Sequence, residues 1–140
     1  MQLKRDTELA LRILYCLQNR SDGGERNARR KPGLAEISIQ TMIPKVTARR
    51  ICTRLCDSGM IGVYRESERR ESAFYLKPVF FRSSLLDVIR AMENTGRIFA
   101  VFDRESPMYL ACGTKMEKAE REVEAQLAEV SLESLLKEER

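Results

Sequence analysis

The stretch from Gly33 to Tyr64 constrains the fold more than any other, because it has the pattern of two short helices around a tight turn. Three apolar residues mark the core side of the first helix: Leu34, Ile37 and Ile39. The run 41–44 then interrupts the helical pattern, since Pro44 lacks a backbone N–H yet suits the first position of a helix. A second helix is therefore predicted from about Pro44, and the whole stretch is predicted to be a helix-turn-helix.

The second helix has two faces of different character at about 100° per residue. One side carries Ala48, Ile51, Cys52 and Leu55, and the other carries Val46, Thr47, Arg50 and Arg54. The first face suits a core and the second a partner. The run 57–59 then ends the helix, because Gly59 is free to take a left-handed cap conformation.

A helix of this kind fits the major groove of DNA, where its early residues reach base edges. We predict that Thr47, Arg49 and Arg50 read bases or flanking phosphates. The predicted DNA contacts of this helix are Lys45, Thr47, Arg49, Arg50 and Arg54. The plainer interpretation, that these arginines form only a solvated surface, stays open for an isolated helix.

The distribution of charge favours a polyanionic partner at the N-terminal part. Residues 1–82 carry 17 Lys and Arg against 9 Asp and Glu, whereas residues 83–140 carry 8 against 12. Nucleic acid is the natural polyanion for such a basic half. The polar run 19–32 adds Arg29 and Arg30, which form either a phosphate-contacting arm or part of a solvated loop.

A hairpin is predicted after the second helix. Residues 60–64 alternate like a strand, 65–72 are too charged to be buried, and 73–76 form the return strand. Arg65, Arg69 and Arg70 are predicted to touch phosphate or the minor groove. Three glutamates in the same tip, Glu66, Glu68 and Glu71, dilute the local field.

The N-terminal run 7–17 forms an amphipathic helix that is predicted to pack beneath the helix-turn-helix. Its apolar residues recur at helical spacing: Leu9, Ile13, Leu14 and Leu17. Cys16 lies among them and is predicted to be a small buried side chain.

The C-terminal half is predicted to hold three helices. The run 84–87 has a capped helix start that leads into 88–93, with Asp87 at the capping position. The apolar run 97–111 contains Pro107 and is predicted to be an irregular connection. A long helix is predicted from the capping box at 114–117, and a short last helix over 131–136 is predicted to fold back.

The long helix carries an apolar stripe that needs a partner surface. Its members are Met116, Ala119, Val123, Leu127 and Val130. Two copies of the helix could cross in a dimer, or the stripe could pack onto its own chain.

These elements predict a mainly α fold with a small β-wing. We divide it into a winged helix-turn-helix domain over 1–82 and a second part over 83–140, which holds a connecting helix, a sensor-like segment and a dimerisation helix.

No run of about 18 uncharged apolar residues exists and no signal peptide is apparent, so a cytoplasmic location is expected. The chain has no histidine, phosphate-cradling glycine loop or recognisable carboxylate pair, so an enzyme is not expected.

Five segments, taken in order, point to one family. They are LALRILYCL at 9–17, LAEIS at 34–38, LCDSGMI at 55–61, SLLDVIRAME at 84–93 and SLESLL at 131–136. Together they resemble the bacterial Rrf-type winged-helix regulators, which include IscR and NsrR. The resemblance implies a homodimer on a palindromic operator, with the helix at 44–58 in the major groove and the wing at 65–72 in the adjacent minor groove.

Two departures from the family pattern matter. The family's wing is usually glycine-rich, whereas charged residues fill 66–71 here. Cluster-binding members also carry three cysteines before the long helix, and this chain has only Cys112 there. An iron–sulfur cluster generally needs four protein ligands, so we expect no cluster and no other cofactor. Cys52 and Cys56 are predicted to be structural thiols, with no metal.

Cys112 is the candidate sensor residue. It precedes the helix predicted from Thr114, where unpaired N–H groups and Lys115 would favour a thiolate. A plain packed cysteine is the alternative.

The sequence thus predicts a dimeric, sequence-specific DNA-binding regulator, with repression as its expected mode and possible redox control through Cys112. A winged-helix adaptor that grips another protein is the second hypothesis.

Overall fold

The structure, a computed structural model, describes residues 5–21, 32–65, 72–93 and 105–138. The helices are α1 (Arg5–Ser21), α2 (Leu34–Thr41), α3 (Lys45–Asp57), α4 (Leu85–Glu93), α5 (Pro107–Ala128) and α6 (Leu132–Leu135). The strands are β1 (Ile61–Tyr64) and β2 (Ala73–Leu76), and a 3-10 helix spans Pro78–Arg82. The predicted fold class, mainly α with a small β-wing, is confirmed.

Helix α1 lies at the centre of the fold and packs against α2, α3 and α4. Its predicted apolar face is buried: Leu9, Ile13, Leu14 and Leu17. Cys16 is buried as predicted, and its thiol donates to Oε1 of Gln40 at 3.0 Å. The helix is longer at both ends than the predicted run 7–17.

The predicted helix-turn-helix is confirmed. Helix α2 ends at Met42, which has φ 59° and whose N–H bonds to the carbonyl of Ser38, and Pro44 is the N-cap of α3. The four predicted core residues of α3 are all buried: Ala48, Ile51, Cys52 and Leu55. Gly59, at φ 82°, takes the left-handed conformation predicted after the helix.

The prediction that Ile39 belongs to the core side of α2 is wrong. Ile39 was grouped with Leu34 and Ile37, but its side chain is exposed whereas both others are buried. Two residues along a helix turn the side chain by about 200°, so Ile39 points away from the core when Ile37 points into it.

The predicted hairpin is also present. Strands β1 and β2 pair antiparallel, with Ile61 opposite Leu76 and Val63 opposite Phe74. Gly62 lies opposite Tyr75, and a Cβ atom there would overlap the Tyr75 ring, so only glycine fits without movement of that ring. The tip residues 66–71 lie outside the described residues.

The capped start of α4 is confirmed. The Asp87 carboxylate accepts hydrogen bonds from the N–H of Ser84 at 2.8 Å and from its hydroxyl at 3.1 Å. The C-terminal segment folds back onto the same region, because the N–H of Leu85 donates to the carbonyl of Val130 at 2.8 Å and that of Leu132 to Ser83 at 3.1 Å. The predicted short last helix is therefore part of the body of the fold.

The predicted start of the long helix is wrong. The capping box at 114–117 lies inside α5, which begins at Pro107 with Ser106 as its N-cap. The Ser106 hydroxyl accepts the N–H of Tyr109 at 3.1 Å. Pro107 occupies the first helical position, which needs no N–H donor, so it opens the helix. The predicted irregular run 97–111 is thus helical from Pro107, and 97–104 lie outside the described residues.

A single hydrophobic core joins the two predicted parts. Val88 and Met92 of α4, with Leu132 and Leu136 near the C-terminus, pack with the buried residues of α1 and α3. The division at residue 82 stays a prediction. Within the described ranges, none of the helices has the length and apolar character needed to cross a bilayer.

Candidate nucleic-acid interface

The outer surface of α3 carries most of the predicted DNA contacts. Lys45, Arg49 and Arg50 are exposed along it, and Thr47 is half-buried. Lys45 and Thr47 lie in the first turn of the helix, directly after the turn that follows α2. In a helix-turn-helix this part of the second helix reaches base edges, so the positions suit the predicted role.

A basic cleft separates α3 from the hairpin. It has a volume of about 420 Å³, and Lys45 and Arg49 line it from α3 while Arg65 lines it at the end of β1. Among its lining residues Asp57 carries the one negative charge, against these three positive charges. The cleft therefore has a positive potential between the two elements that a winged helix places on DNA.

Arg49 has an available guanidinium in this cleft. Within the part of the chain that the structure describes, no carboxylate or carbonyl pairs with it. An exposed guanidinium that carries five donors in a planar arrangement is well suited to phosphate or to the O6 and N7 atoms of guanine.

Arg50 is held by its own subunit. Its Nη1 donates to Oδ2 of Asp6 at 2.7 Å and its Nη2 to Oδ1 at 3.0 Å, which makes the pair bidentate. The guanidinium stays about half-exposed. Asp6 cannot be predicted as the partner of Arg50 from the sequence, because no local pattern connects residues so far apart in the chain. Base reading by Arg50 stays a prediction, and it would compete with Asp6.

Arg54 points further into the subunit. Its Nη1 donates to the carbonyl of Met92 at 2.8 Å, at the end of α4, and lies 3.3 Å from Oδ2 of Asp6. Its position one helical turn after Arg50 brings it over the C-terminal end of α4, where carbonyls favour a cation. Arg54 lies on the face of α3 away from the core, as predicted, and its side chain is 41% exposed, but its guanidinium joins α3 to α4 and α1. Contact of Arg54 with DNA stays a prediction.

Asp6 and the two cysteines of α3 have shifted pKa values. The hydrogen bond from Arg50 lowers the pKa of the Asp6 carboxyl, and burial opposes this shift. Burial raises the pKa of the Cys52 thiol to about 12 and also raises that of Cys56. Both cysteines are therefore protonated at neutral pH in the absence of a metal, and their role as structural thiols stays a prediction.

Removing the Asp6 carboxylate is expected to weaken the fold slightly. Asp6→Asn should lower the free energy of unfolding at pH 7 by about 1 kcal/mol or less, because the Arg50 side of the pair is half-exposed and solvent screens it. A lowered folded-state pKa means that the stabilisation is present above the ordinary carboxyl pKa of about 4 and is lost as pH falls through the lowered value. Urea unfolding at pH 7 and pH 3 tests this prediction.

The comparison variant for this test is Glu8→Gln, which removes an exposed pair with Arg12 one turn further along α1. The difference between wild type and Asp6→Asn should shrink towards pH 3. A difference that persists at pH 3 would mean that the carboxylate charge is not the cause.

The remaining predicted contacts cannot be placed. Arg29, Arg30, Arg69 and Arg70 lie outside the described residues. They stay predictions on the sequence pattern alone. Of the wing arginines, only Arg65 has a described position, exposed at the end of β1.

Cys112 does not lie at a helix terminus. It is exposed inside α5, beyond the first turn that begins at Pro107. The unpaired N–H groups of a helix belong to its first four residues, so the argument for a thiolate from a helix starting at Thr114 is wrong. An exposed thiol remains, and its role as a sensor stays a prediction.

The described residues do not form a site for an iron–sulfur cluster. Across the four described ranges, no group of three or more histidine, cysteine, aspartate or glutamate side chains could hold a metal. Cys16 and Cys52 are buried and Cys56 lies on α3, which leaves Cys112 as the one exposed thiol among the described residues. This donor set does not fit a cluster that needs four ligands.

The turn of the helix-turn-helix and the helix residues beside it carry exposed apolar side chains. Ile39 is 79% exposed, Met42 86% and Val46 82%. We call these three residues the apolar tip. For Val46 a signal was present in the sequence, because this residue falls on the outer face of α3. For Met42 there was none, since its neighbour Ile43 in the same turn is buried.

The order and packing of these elements define a winged helix-turn-helix protein. No protein-family model and no curated protein sequence matches the chain. Solved structures do. The oxidised form of Staphylococcus aureus CymR has a TM-score of 0.68 at 17% identity and covers 100% of this chain and 99% of its own.

Two further structures agree with this match. IscR of T. potens has a TM-score of 0.67 at 12% identity and covers 97% of this chain and 86% of its own. CymR of B. subtilis, the global cysteine regulator of that organism, has a TM-score of 0.66 at 18% identity and covers 97% and 96%. The predicted resemblance to the Rrf-type regulators is thus confirmed at the level of the fold.

Proposed function

We propose that the chain is a homodimeric, sequence-specific DNA-binding regulator of transcription that acts as a repressor in the bacterial cytoplasm. The basic cleft carries this proposal, because Lys45, Arg49 and Arg65 converge between α3 and the wing. A winged helix uses these two elements on adjacent grooves of one duplex. The regulators of similar fold support the same function.

The proposed homodimer rests on the surface of α5. This helix has 22 residues, of which only Tyr109 and Glu120 are buried. Met108 and Leu110 are exposed large apolar side chains at its N-terminal end. A long helix with so little burial needs a partner surface, and a second α5 supplies one of equal length.

A twofold dimer implies a palindromic operator. Two copies of α3 related by a twofold axis read the same half-site in opposite directions, and half-sites in consecutive major grooves lie about 34–36 Å apart. The proposed operator is therefore an inverted repeat whose half-site centres are one helical turn, or a multiple of it, apart.

Selection of bound duplexes from a random pool tests this function. An enriched inverted repeat is the expected result. Arg49→Ala should weaken binding to that repeat by about 1–3 kcal/mol if the side chain reads a base. The matched control is Arg82→Ala, which removes an exposed arginine from the 3-10 helix and should leave the affinity unchanged.

A protein-binding adaptor is the competing function. The exposed apolar tip gives it a specific basis, because apolar side chains also suit protein surfaces. A random pool that yields no enriched motif, with equal and weak binding to all duplexes, would favour the adaptor and contradict the proposed regulator.

The proposed regulator acts without a resident cluster and without enzymatic activity. The expectation of no cluster is supported by Cys112 being the one exposed thiol among the described residues, because a cluster generally needs four protein ligands. Redox control through Cys112 remains part of the proposal as a modification of an exposed thiol on the proposed dimerisation helix.

A further inference from the structure

The apolar tip exposes apolar side chains in one short part of the chain. Ile39 ends the outer face of α2, Met42 lies in the turn, and Val46 is the second residue of α3. Between them Ile43 is buried in the core, so the chain places one apolar side chain inward and its neighbours outward. Three exposed large apolar side chains within eight residues of the chain suit a contact surface for a partner.

Met42 has a backbone conformation that is unfavourable for a residue with a side chain. Its φ of 59° places it in the left-handed region, where it is the one residue other than glycine among the described residues. Glycine or asparagine adopts this conformation more easily. The Met42 side chain is 86% exposed, so packing in the subunit does little to offset this strain, and a contact outside the subunit would be a reason for a methionine at this position.

The surroundings of the tip favour DNA over protein as that partner. Val46 lies in the first turn of α3, next to Lys45 and one turn before Arg49. A tip flanked by cations on a helix of this kind meets a major groove between two phosphate chains. The apolar group in the major groove is the C5-methyl of thymine, which alanine, threonine methyl and similar side chains contact.

We propose that Val46, together with Met42, contacts the C5-methyl groups of thymines in the operator and so selects thymine at defined positions of each half-site. This inference rests on the DNA-binding function proposed above. Arg49 supplies attraction and orientation, whereas the apolar tip distinguishes a thymine from a base of similar hydrogen-bonding pattern without the methyl group.

Uracil substitution tests the inference directly. Deoxyuridine keeps the O4 acceptor of thymine and lacks only the C5-methyl, so a selected operator is prepared with each thymine replaced in turn. Wild-type protein should bind about fourfold more weakly wherever a contacted methyl is removed. Val46→Ala should bind the thymine operator about fourfold or more weakly, and it should no longer distinguish thymine from uracil at its position.

Met42→Gly tests both the proposed contact of Met42 with a thymine methyl group and the backbone strain at this residue. Because glycine tolerates a positive φ, this variant should keep or raise the melting temperature while it loses discrimination at a second thymine. Val79→Ala is the matched control, since Val79 is a partly exposed valine on the 3-10 helix outside the tip. It should retain the wild-type response to uracil at every position.

The outcomes separate this inference from the proposed function. An enriched operator whose affinity does not change on any uracil substitution would overturn the thymine contact alone. An enriched operator on which Val46→Ala and Met42→Gly respond to uracil as wild type does would overturn it as well. A pool with no enriched duplex would overturn the DNA-binding function and this inference together, leaving the tip to a protein partner.

Discussion

Replacing Leu132 by alanine is expected to lower the free energy of unfolding by about 2–5 kcal/mol. Leu132 is 0% exposed and packs in the core that also holds residues of α1 and α3. Truncation removes the transfer energy of the buried methyl groups and leaves a cavity that the surrounding helices fill only in part. Urea unfolding monitored by circular dichroism measures the loss.

Leu135 in the same short helix is the matched control, because it is 48% exposed. Leu135→Ala removes the same side-chain atoms from the same four-residue helix and should lower the free energy of unfolding by less than about 1 kcal/mol. Equal costs for the two variants would contradict the conclusion that the C-terminal segment completes the core. They would show instead that α6 contributes only local helix stability.

The C-terminal segment is also tied to α1 by polar contacts. The Gln18 side-chain amide donates to the carbonyl of Glu133 at 2.8 Å and that of Asn19 to the carbonyl of Leu136 at 3.1 Å. The hydroxyl of Tyr15 donates to the Glu138 carboxylate at 3.1 Å. These contacts hold the C-terminal segment that contains Leu132 against α1.

The helices and strands that were predicted correctly are those whose bounds are set by residues close to them in the sequence. Pro44 and Gly59 set the bounds of α3 through backbone conformation, and the Ser84–Asp87 cap sets the start of α4. The hairpin strand 73–76 was predicted with its observed bounds. In each case the signal lies within about four residues of the feature that it determines.

The errors have equally definite causes. Pro107 was interpreted as a break because proline both interrupts and begins helices, and only the Ser106 cap decides between the two. Ile39 is apolar, but helical spacing places it about 200° from Ile37, so its assignment to the core follows from residue type and not from its position on the helix. Because α5 begins at Pro107, Cys112 lies inside the helix and not at its N-terminus.

The sequence predicts which residues of α3 lie on its outer surface, but it does not predict which contacts those residues make within the subunit. The helical pattern of α3 places Arg49 and Arg50 outside the core, as found. It does not show that Asp6 holds Arg50, because that pairing depends on how α1 crosses α3 in three dimensions. Helical spacing alone therefore does not separate a cation that is available to DNA from one that is already neutralised.

Binding to the operator is expected to weaken by about a thousandfold when salt rises from about 50 to about 200 mM, because released counterions drive association. The basic cleft supplies Lys45, Arg49 and Arg65 in each subunit. Two subunits in the proposed dimer thus bring about six phosphate contacts, the number for which a loss of this size is typical. Fluorescence anisotropy on the selected operator measures the slope of log affinity against log salt.

The two neighbouring arginines should change this slope by different amounts. Arg49→Ala removes one available cation from each subunit and should make the slope shallower by about 2 in the dimer, at about 0.9 per phosphate contact. Arg50→Ala removes a cation that Asp6 already neutralises, so its slope should change by less than half as much. Asp6→Asn releases Arg50 and should steepen the slope. Identical slopes for all three variants would mean that these charges do not meet phosphate, and that the cleft between α3 and the wing is not the surface that binds DNA.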